Sequence, residues 1–409
     1  MMRVLCLMLI FTSQNERVEM TGTRMKEMFN WKNIEFTFEN ETQKQSMIEN
    51  GLYTKGNAIP TSIALWNEKI FVTTPRFKFG VPASLSYIVV NFTDTETEVK
   101  SPELIPYPNL DVHDLQIRNI TSILNIHVDN CDRLWAIDSG QIEHKHETDP
   151  AIVVYDLRTN LQIDSQKIKT KTDYKTEPFL SDILVDVTSS NCDTAYVYIA
   201  DANNYELIVY NMKSQEFHKV GHNYFHFDPL CGDLDIDGIH YQSQHGIFSL
   251  SMSPVGRDDH RILYFSPLAS LMQFAVPTKV IQNKTLDTAK SFYEFKVMGS
   301  KGLNSQSCAS SFDEETGVLF YTLISKNAIA CWNSFSGDEY SEKTQGVITE
   351  DKTLIYPSDV EVDKNGVLWA IFNNQPKFLH STLDSDEINF RIFSGTIRSM
   401  IKGTVCDSM

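Results

Sequence analysis

The sequence predicts an all-β protein folded as one six-bladed β-propeller, and three observations carry that expectation. Short runs of branched and aromatic residues alternate with Gly, Asn, Asp and Ser along most of the chain, the pattern of strands bounded by turns. A two-strand unit recurs six times: an apolar strand led by Ser, Thr, Ala, Gly or Asp, a polar turn, then a strand rich in aromatic or branched residues. Taking Phe71, Trp135, Val197, Tyr264, Phe320 and Trp369 as reference points, the gaps are 64, 62, 67, 56 and 49 residues. Each interval has room for four short strands. One such sheet cannot cover both of its faces, whereas six arranged radially cover one another.

The copies can be justified in order. The first is Thr61 to Leu65, turning at Asn67-Glu68-Lys69 into Ile70-Phe71-Val72. The second runs Thr121 to Val128 and turns at Asp129 to Asp132 into Arg133 to Ile137. Ser181 to Val185 and Ala195 to Ile199 make the third; Gly246 to Ser251 and Ile262 to Phe265 make the fourth. Ala309 to Phe312 leads to Val318 to Tyr321 in the fifth, and Ser358 to Val362 leads to Val367 to Ile371 in the sixth. The second strands supply the filling between blades, so Trp135 and Trp369 read as core. Helical periodicity is confined to Thr23 to Phe29 and Ser266 to Phe274.

Met1-Met2-Arg3 followed by the apolar run Val4 to Phe11 fits a short signal peptide over residues 1–13, the other reading being a buried N-terminal strand. A lead-in segment over 14–35 and the propeller over 36–409 complete the expected organisation. The run is too short to span a bilayer. Without Cys6 an even six cysteines remain, none in a C-x-x-C pair, and sequons stand at Asn40, Asn91, Asn119 and Asn283. Both features suit a secreted, disulfide-bonded glycoprotein. The formal net charge of −17 sets the chain against polyanions, so neither nucleic acid nor an anionic membrane is expected as a partner.

Several short motifs stand in one order along the chain. They include Pro75-Arg76, Gly80 to Leu85, Pro106-Tyr107-Pro108, Asp132 to Gly140, Tyr198 to Asp201 and Phe227-Asp228-Pro229. Leu250 to Pro254, Tyr264 to Leu268, Ala330 to Asn333 and Asn389 to Ile392 continue the series, which covers nearly the whole chain from Phe36 to Cys406. In this order and spacing they resemble one known family, the yellow and major royal jelly proteins of insects, and the resemblance implies a secreted six-bladed propeller, in agreement with the repeat count. Its members' roles range over dopachrome conversion, cuticle pigmentation, amine binding in saliva, and food or sterol-associated proteins. The chain departs from the pattern where relatives usually carry cysteines, at Asp114-Leu115-Gln116 and Asp149 to Ile152, while Cys231 and Cys308 look like additions. Those departures leave the partners of Cys131, Cys192, Cys231 and Cys308 open.

The leading functional expectation is insect pigmentation or cuticle melanin chemistry with a dopachrome-converting, isomerase-like activity. The alternatives are a non-catalytic binder of biogenic amines or other small aromatics, or a structural cuticle or nutritive protein. In either active role a dopachrome, catecholamine or indoleamine would occupy the central channel, with no cofactor. Proton abstraction beside an iminoquinone needs a base and a group to hold charge on oxygen. Asp138 and Asp201 at the ends of second strands, Asp182 and Asp359 at the starts of first strands, and Arg76 are the candidates; the competing reading of each Asp is a turn or strand-end cap. For an amine, Asn333 and Phe335 share one face if their segment is extended, and that neighbourhood contributes to the pocket of amine-binding relatives. His144, His146, His218, His222 and His226 lack the convergent ligand sets of a metal centre, and no metal is expected. Nucleophile-elbow, P-loop and dinucleotide glycine patterns are absent from the sequence.

A propeller must also tie its ends together. A Cys331–Cys406 bond would pin the tail across the sixth repeat; otherwise Cys406 hangs in a frayed terminus.

Overall fold

The computed structural model describes residues 24–90, 100–117, 119–168, 177–187, 191–285, 288–337 and 339–407. Six four-stranded antiparallel sheets carry the architecture. Blade 1 comprises Ile63–Trp66, Lys69–Thr73, Leu85–Val89 and Ile105–Pro106; blade 2 comprises Ile123–Val128, Arg133–Asp138, Ala151–Asp156 and Leu161–Lys167. Blade 3 is built of Leu180–Asp186, Tyr196–Asp201, Glu206–Asn211 and Glu216–Gly221, and blade 4 of Ile247–Met252, Ile262–Pro267, Met272–Pro277 and Lys296–Ser300. Blade 5 runs Ser310–Asp313, Val318–Leu323, Ala328–Asn333 and Gln345–Glu350. In blade 6, Pro357–Val362, Val367–Phe372 and Phe390–Thr396 are completed by Lys26–Trp31 from the other end of the chain.

The first strand of every blade packs beside those of its two neighbours, so six of them surround one axis. Behind them the second strands are almost wholly buried; Trp135 and Trp369 are 0% and 1% exposed. A local device fixes the turn between these strands. The acid closing the first strand accepts the polar hydrogen of an aromatic on the second: Trp135 Nε1 to Asp129 at 2.8 Å, Tyr198 Oη to Asp186 at 3.1 Å, Trp369 Nε1 to Asp363 at 3.2 Å. The aromatic thus buries its ring without leaving its N–H or O–H unpaired.

Two corrections concern the N-terminal half of that closure. Lys26–Trp31 is a strand, although its apolar spacing reads as helical, and it belongs to the sixth blade, although it falls in the segment set apart as a lead-in. Pairing with Phe390–Thr396 buries Phe29 and Trp31, and this tertiary gain overrides the local periodicity. Ser266 to Phe274 is likewise not helical; it spans the end of one strand, a turn and the start of the next. Among the described residues the helices are short, the longest being Glu41–Glu49, and none is long and apolar enough to cross a membrane.

Cys331 and Cys406 are bonded, with Cα atoms 6.3 Å apart, and Gly346 passes so close to both sulfurs that a Cβ there would collide with them. On the chain-entropy view this 75-residue link contributes about 4 kcal/mol. Cys131 and Cys192 pair with each other, joining blade 2 to blade 3, which answers a pairing the sequence left open. Cys231 and Cys308 remain buried thiols. The expected signal segment lies outside the described residues, as does Asn91. Asn40, Asn119 and Asn283 are exposed. Asn40 caps Glu41–Glu49 through its Oδ1, not through the nitrogen a glycan would use.

Candidate functional site

The six innermost strands enclose a cavity of about 680 Å3, within the range of small-molecule sites. Its two mouths differ. Where the inner strands begin, Phe77, Phe179 and Phe248 line the wall, the last two with ring centroids 5.8 Å apart. Where they end, Asp129, Asp132, Glu314, Glu315 and Asp363 gather with Trp66, Arg261 and Lys364.

The middle of the channel is set by one repeated irregularity. Near the start of the inner strands of blades 2, 3, 4 and 6 the register slips by a residue. Such a bulge re-aims the side chain that follows it. Here the following residues are Asn125, Asp182, Ser249 and Asp359, and each reaches the inner strand of the next blade. Asn125 donates to the Ser181 carbonyl at 3.0 Å, Ser249 meets Ser310, Asp182 accepts from the Leu250 N–H at 2.7 Å, and Asp359 accepts from the Ile63 N–H at 2.8 Å. Blades 3 and 6 lie opposite in the ring, so Asp182 and Asp359 face each other across the lumen. Glu361, two residues beyond Asp359, joins them and contacts the Ser311 hydroxyl at 3.4 Å.

Burial dominates the electrostatics of this trio. It pushes the Asp182 carboxyl well above the usual range, with Asp359 adding and two backbone N–H groups opposing. Asp359 is pushed up to about 6. Glu361 is held high by burial and then by the negative charges of Asp359, Asp182 and Asp363. His127 lies on the same wall, pushed down to about 4 by burial, against Asp129 and with Arg261 adding, so it is neutral at pH 7. Among the described lining residues the two lysine or arginine cations both sit at the acidic mouth. Arg261 is engaged there by Asp186 at 3.2 Å and Glu314 at 2.6 Å, and Lys364 by Asn67 at 3.3 Å.

The other sequence candidates are placed elsewhere. Asp138 is buried and accepts three backbone N–H groups, from Thr121, Ser122 and Gly140, at 2.7 to 3.0 Å. Asp201 caps the turn at Asn203-Asn204 and takes the Phe179 N–H. Arg76 spends its guanidinium on the carbonyls of Val81, Pro82, His113, Ile120 and Thr121, a staple between blades 1 and 2. Asn333 closes its strand by donating to the Cys406 carbonyl at 2.9 Å and accepting from the Phe335 N–H, while Phe335 is 62% exposed over Gly317. Neither lines the cavity. His218 bonds the Ile281 carbonyl, His222 caps a short turn and His226 packs on Tyr205. Among the described residues no group of His, Cys, Asp and Glu is arranged to hold a metal. Glu361 and His127 were missed. The available signal was period two: each follows a bulge residue by two positions, on the same face of an inner strand.

Fold and channel together define a class: a six-bladed propeller with an acid-centred, aromatic-mouthed cavity on its axis. The major royal jelly protein family model matches residues 121–406. The protein yellow of Drosophila erecta and that of Drosophila melanogaster are each 36% identical over 393 residues, covering 94% of this chain and 71% of theirs. That of Drosophila pseudoobscura pseudoobscura is 36% identical over the same share of this chain and 68% of its own. The chain belongs to the major royal jelly protein family, on its yellow side. Among solved structures, virginiamycin B lyase from Staphylococcus aureus superposes with a TM-score of 0.43 at 9% identity, covering 83% of this chain and 96% of that one; nothing is argued from so distant a likeness.

Proposed function

We propose that this chain is a secreted protein of insect pigmentation chemistry that takes a catecholamine- or indoleamine-type ligand into its central channel. One observation carries the reading: opposed carboxyl groups at mid-channel with no lysine or arginine among the described residues facing them, reached through a mouth lined by aromatic rings. An aromatic amine complements both features, its ring on the phenylalanines and its ammonium among the acids. Family membership supports the pigmentation context and export. Titration calorimetry of the purified protein with dopamine and serotonin tests the reading, and the absence of heat for both amines sinks it.

A second reading, turnover of a dopachrome-type iminoquinone, is favoured by Asp359. A carboxylate near pH 6 is a better general base at neutral pH than one at the ordinary value. In that reading Asp359 accepts the ring proton, and neutral His127 offers a hydrogen bond to a developing oxyanion. Loss of the dopachrome chromophore no faster than in protein-free buffer removes it.

A further inference from the structure

The wall of the channel carries an asymmetry that reaches beyond simple occupancy. Three acids from opposite blades converge, and among the described residues both lysine or arginine cations of the lining stand at the far mouth, engaged by Asp186, Glu314 or Asn67. Other groups near the acids include the Asn125 amide, the neutral His127 ring, the Cys308 thiol, held protonated by burial, and the hydroxyls of Ser62, Ser310 and Ser311. A ligand ammonium finds up to three carboxyl partners. A ligand carboxylate meets the negative charge of Asp359 and no cationic partner among the described residues, and leaving water without one is costly. Specificity of this kind comes from the repulsive element as much as from the attractive one.

We propose that Asp182, Asp359 and Glu361 make the channel select aromatic amines over the amino acids bearing the same ring. The inference rests on the channel being the ligand site and goes further by naming what is refused. The raised carboxyl groups support this coupling, because a bound cation favours their ionised forms and drives off protons.

The test compares ligands that differ only in the carboxylate: dopamine against L-DOPA, and serotonin against 5-hydroxytryptophan, by titration calorimetry on the full mature protein at pH 7. The wild type is expected to bind each amine at least tenfold more tightly than its amino acid. In Asp359→Asn/Glu361→Gln that ratio should fall to within threefold of unity. Asp359 also holds the Ile63 and Val360 N–H groups, so a melting curve checks that the double variant is folded. Glu361→Gln alone, which keeps an oxygen for the Ser311 hydroxyl, is expected to lower the ratio at least threefold with its melting temperature kept. Equal binding of amine and amino acid by the wild type overturns the selectivity while leaving the channel a ligand site. A ratio that persists in folded Glu361→Gln and in the double variant overturns the assignment to these acids. Silence for all four ligands removes the amine reading and this inference together.

Discussion

Asp138 and Asp201 on one side, Asp182 and Asp359 on the other, look interchangeable in a sequence. All four stand near the ends of propeller strands and all four accept backbone N–H groups. The structure separates them by where their remaining acceptor capacity points. Asp138 gives three N–H groups their partner inside closed packing, with the Arg76 staple nearby, and Asp201 is consumed by one turn. Asp182 and Asp359 each hold one N–H of the next blade and one of their own strand, and still line the lumen. The first pair is architecture. The second is architecture with a face left over for a ligand.

That contrast can be broken, starting with the largest expected effect. Asp138→Ala removes the acceptor of three buried N–H groups and should cost about 3 kcal/mol or more. Denaturant melts check this, and calorimetry on the folded fraction should find dopamine affinity unchanged. Asp359→Asn should behave inversely, losing roughly tenfold in dopamine affinity while stability moves by no more than about 1 kcal/mol, since an amide still accepts one N–H and a buried like charge is gone.

The pH dependence sharpens the same contrast. The Asp359 carboxyl sits near 6 in the fold against an ordinary 3.8, so the protonated form is favoured by folding. Its contribution to stability is therefore complete below about pH 4 and is lost as pH rises through about 6. Amine binding runs the other way, strengthening across the same interval as the carboxylate forms. Melting curves from pH 4 to 8, with and without dopamine, should show a ligand-induced shift that grows with pH and flattens in Asp359→Asn. The smallest effect is expected for Glu361→Gln, a few-fold loss of dopamine affinity with an unchanged or slightly raised melting temperature. A marked loss of stability there would place Glu361 with Asp138 instead.

Much of the propeller was legible because its repeating information lies in two adjacent strands. The inner strand and its partner carry the apolar runs, the turn acid and the aromatic that the acid holds, so Asp129-Trp135 and Asp363-Trp369 advertise the unit. Outer strands such as Leu161–Lys167 are mostly exposed and carry no such pattern. The strand Lys26–Trp31 was misread because its partner lies at the opposite end of the chain. The site was less legible for a related reason. Asp is a good turn former wherever it occurs, and only the bulge decides which acids look into the channel. Asn333 and Phe335 failed as channel residues because the strand ends at Asn333, which turns toward Cys406. The Cys331–Cys406 bond was readable because ring closure demands some tie and few cysteines stood near enough to the end.

The sixth blade has a consequence for how the molecule is made. Its outer strand leaves the ribosome first among the strands described here, and its partner, Phe390–Thr396, leaves last. During synthesis the early strand lacks its sheet partner, and the blades behind it can assemble while the circle stays open. Until the end arrives, this strand lacks its ladder with Phe390–Thr396 and keeps a bare backbone edge, which is the condition that invites pairing with another chain. Completion is thus a test of the whole polypeptide. A truncated product lacking the last strands would keep five blades' worth of sequence and still expose the segment that quality control or aggregation could read.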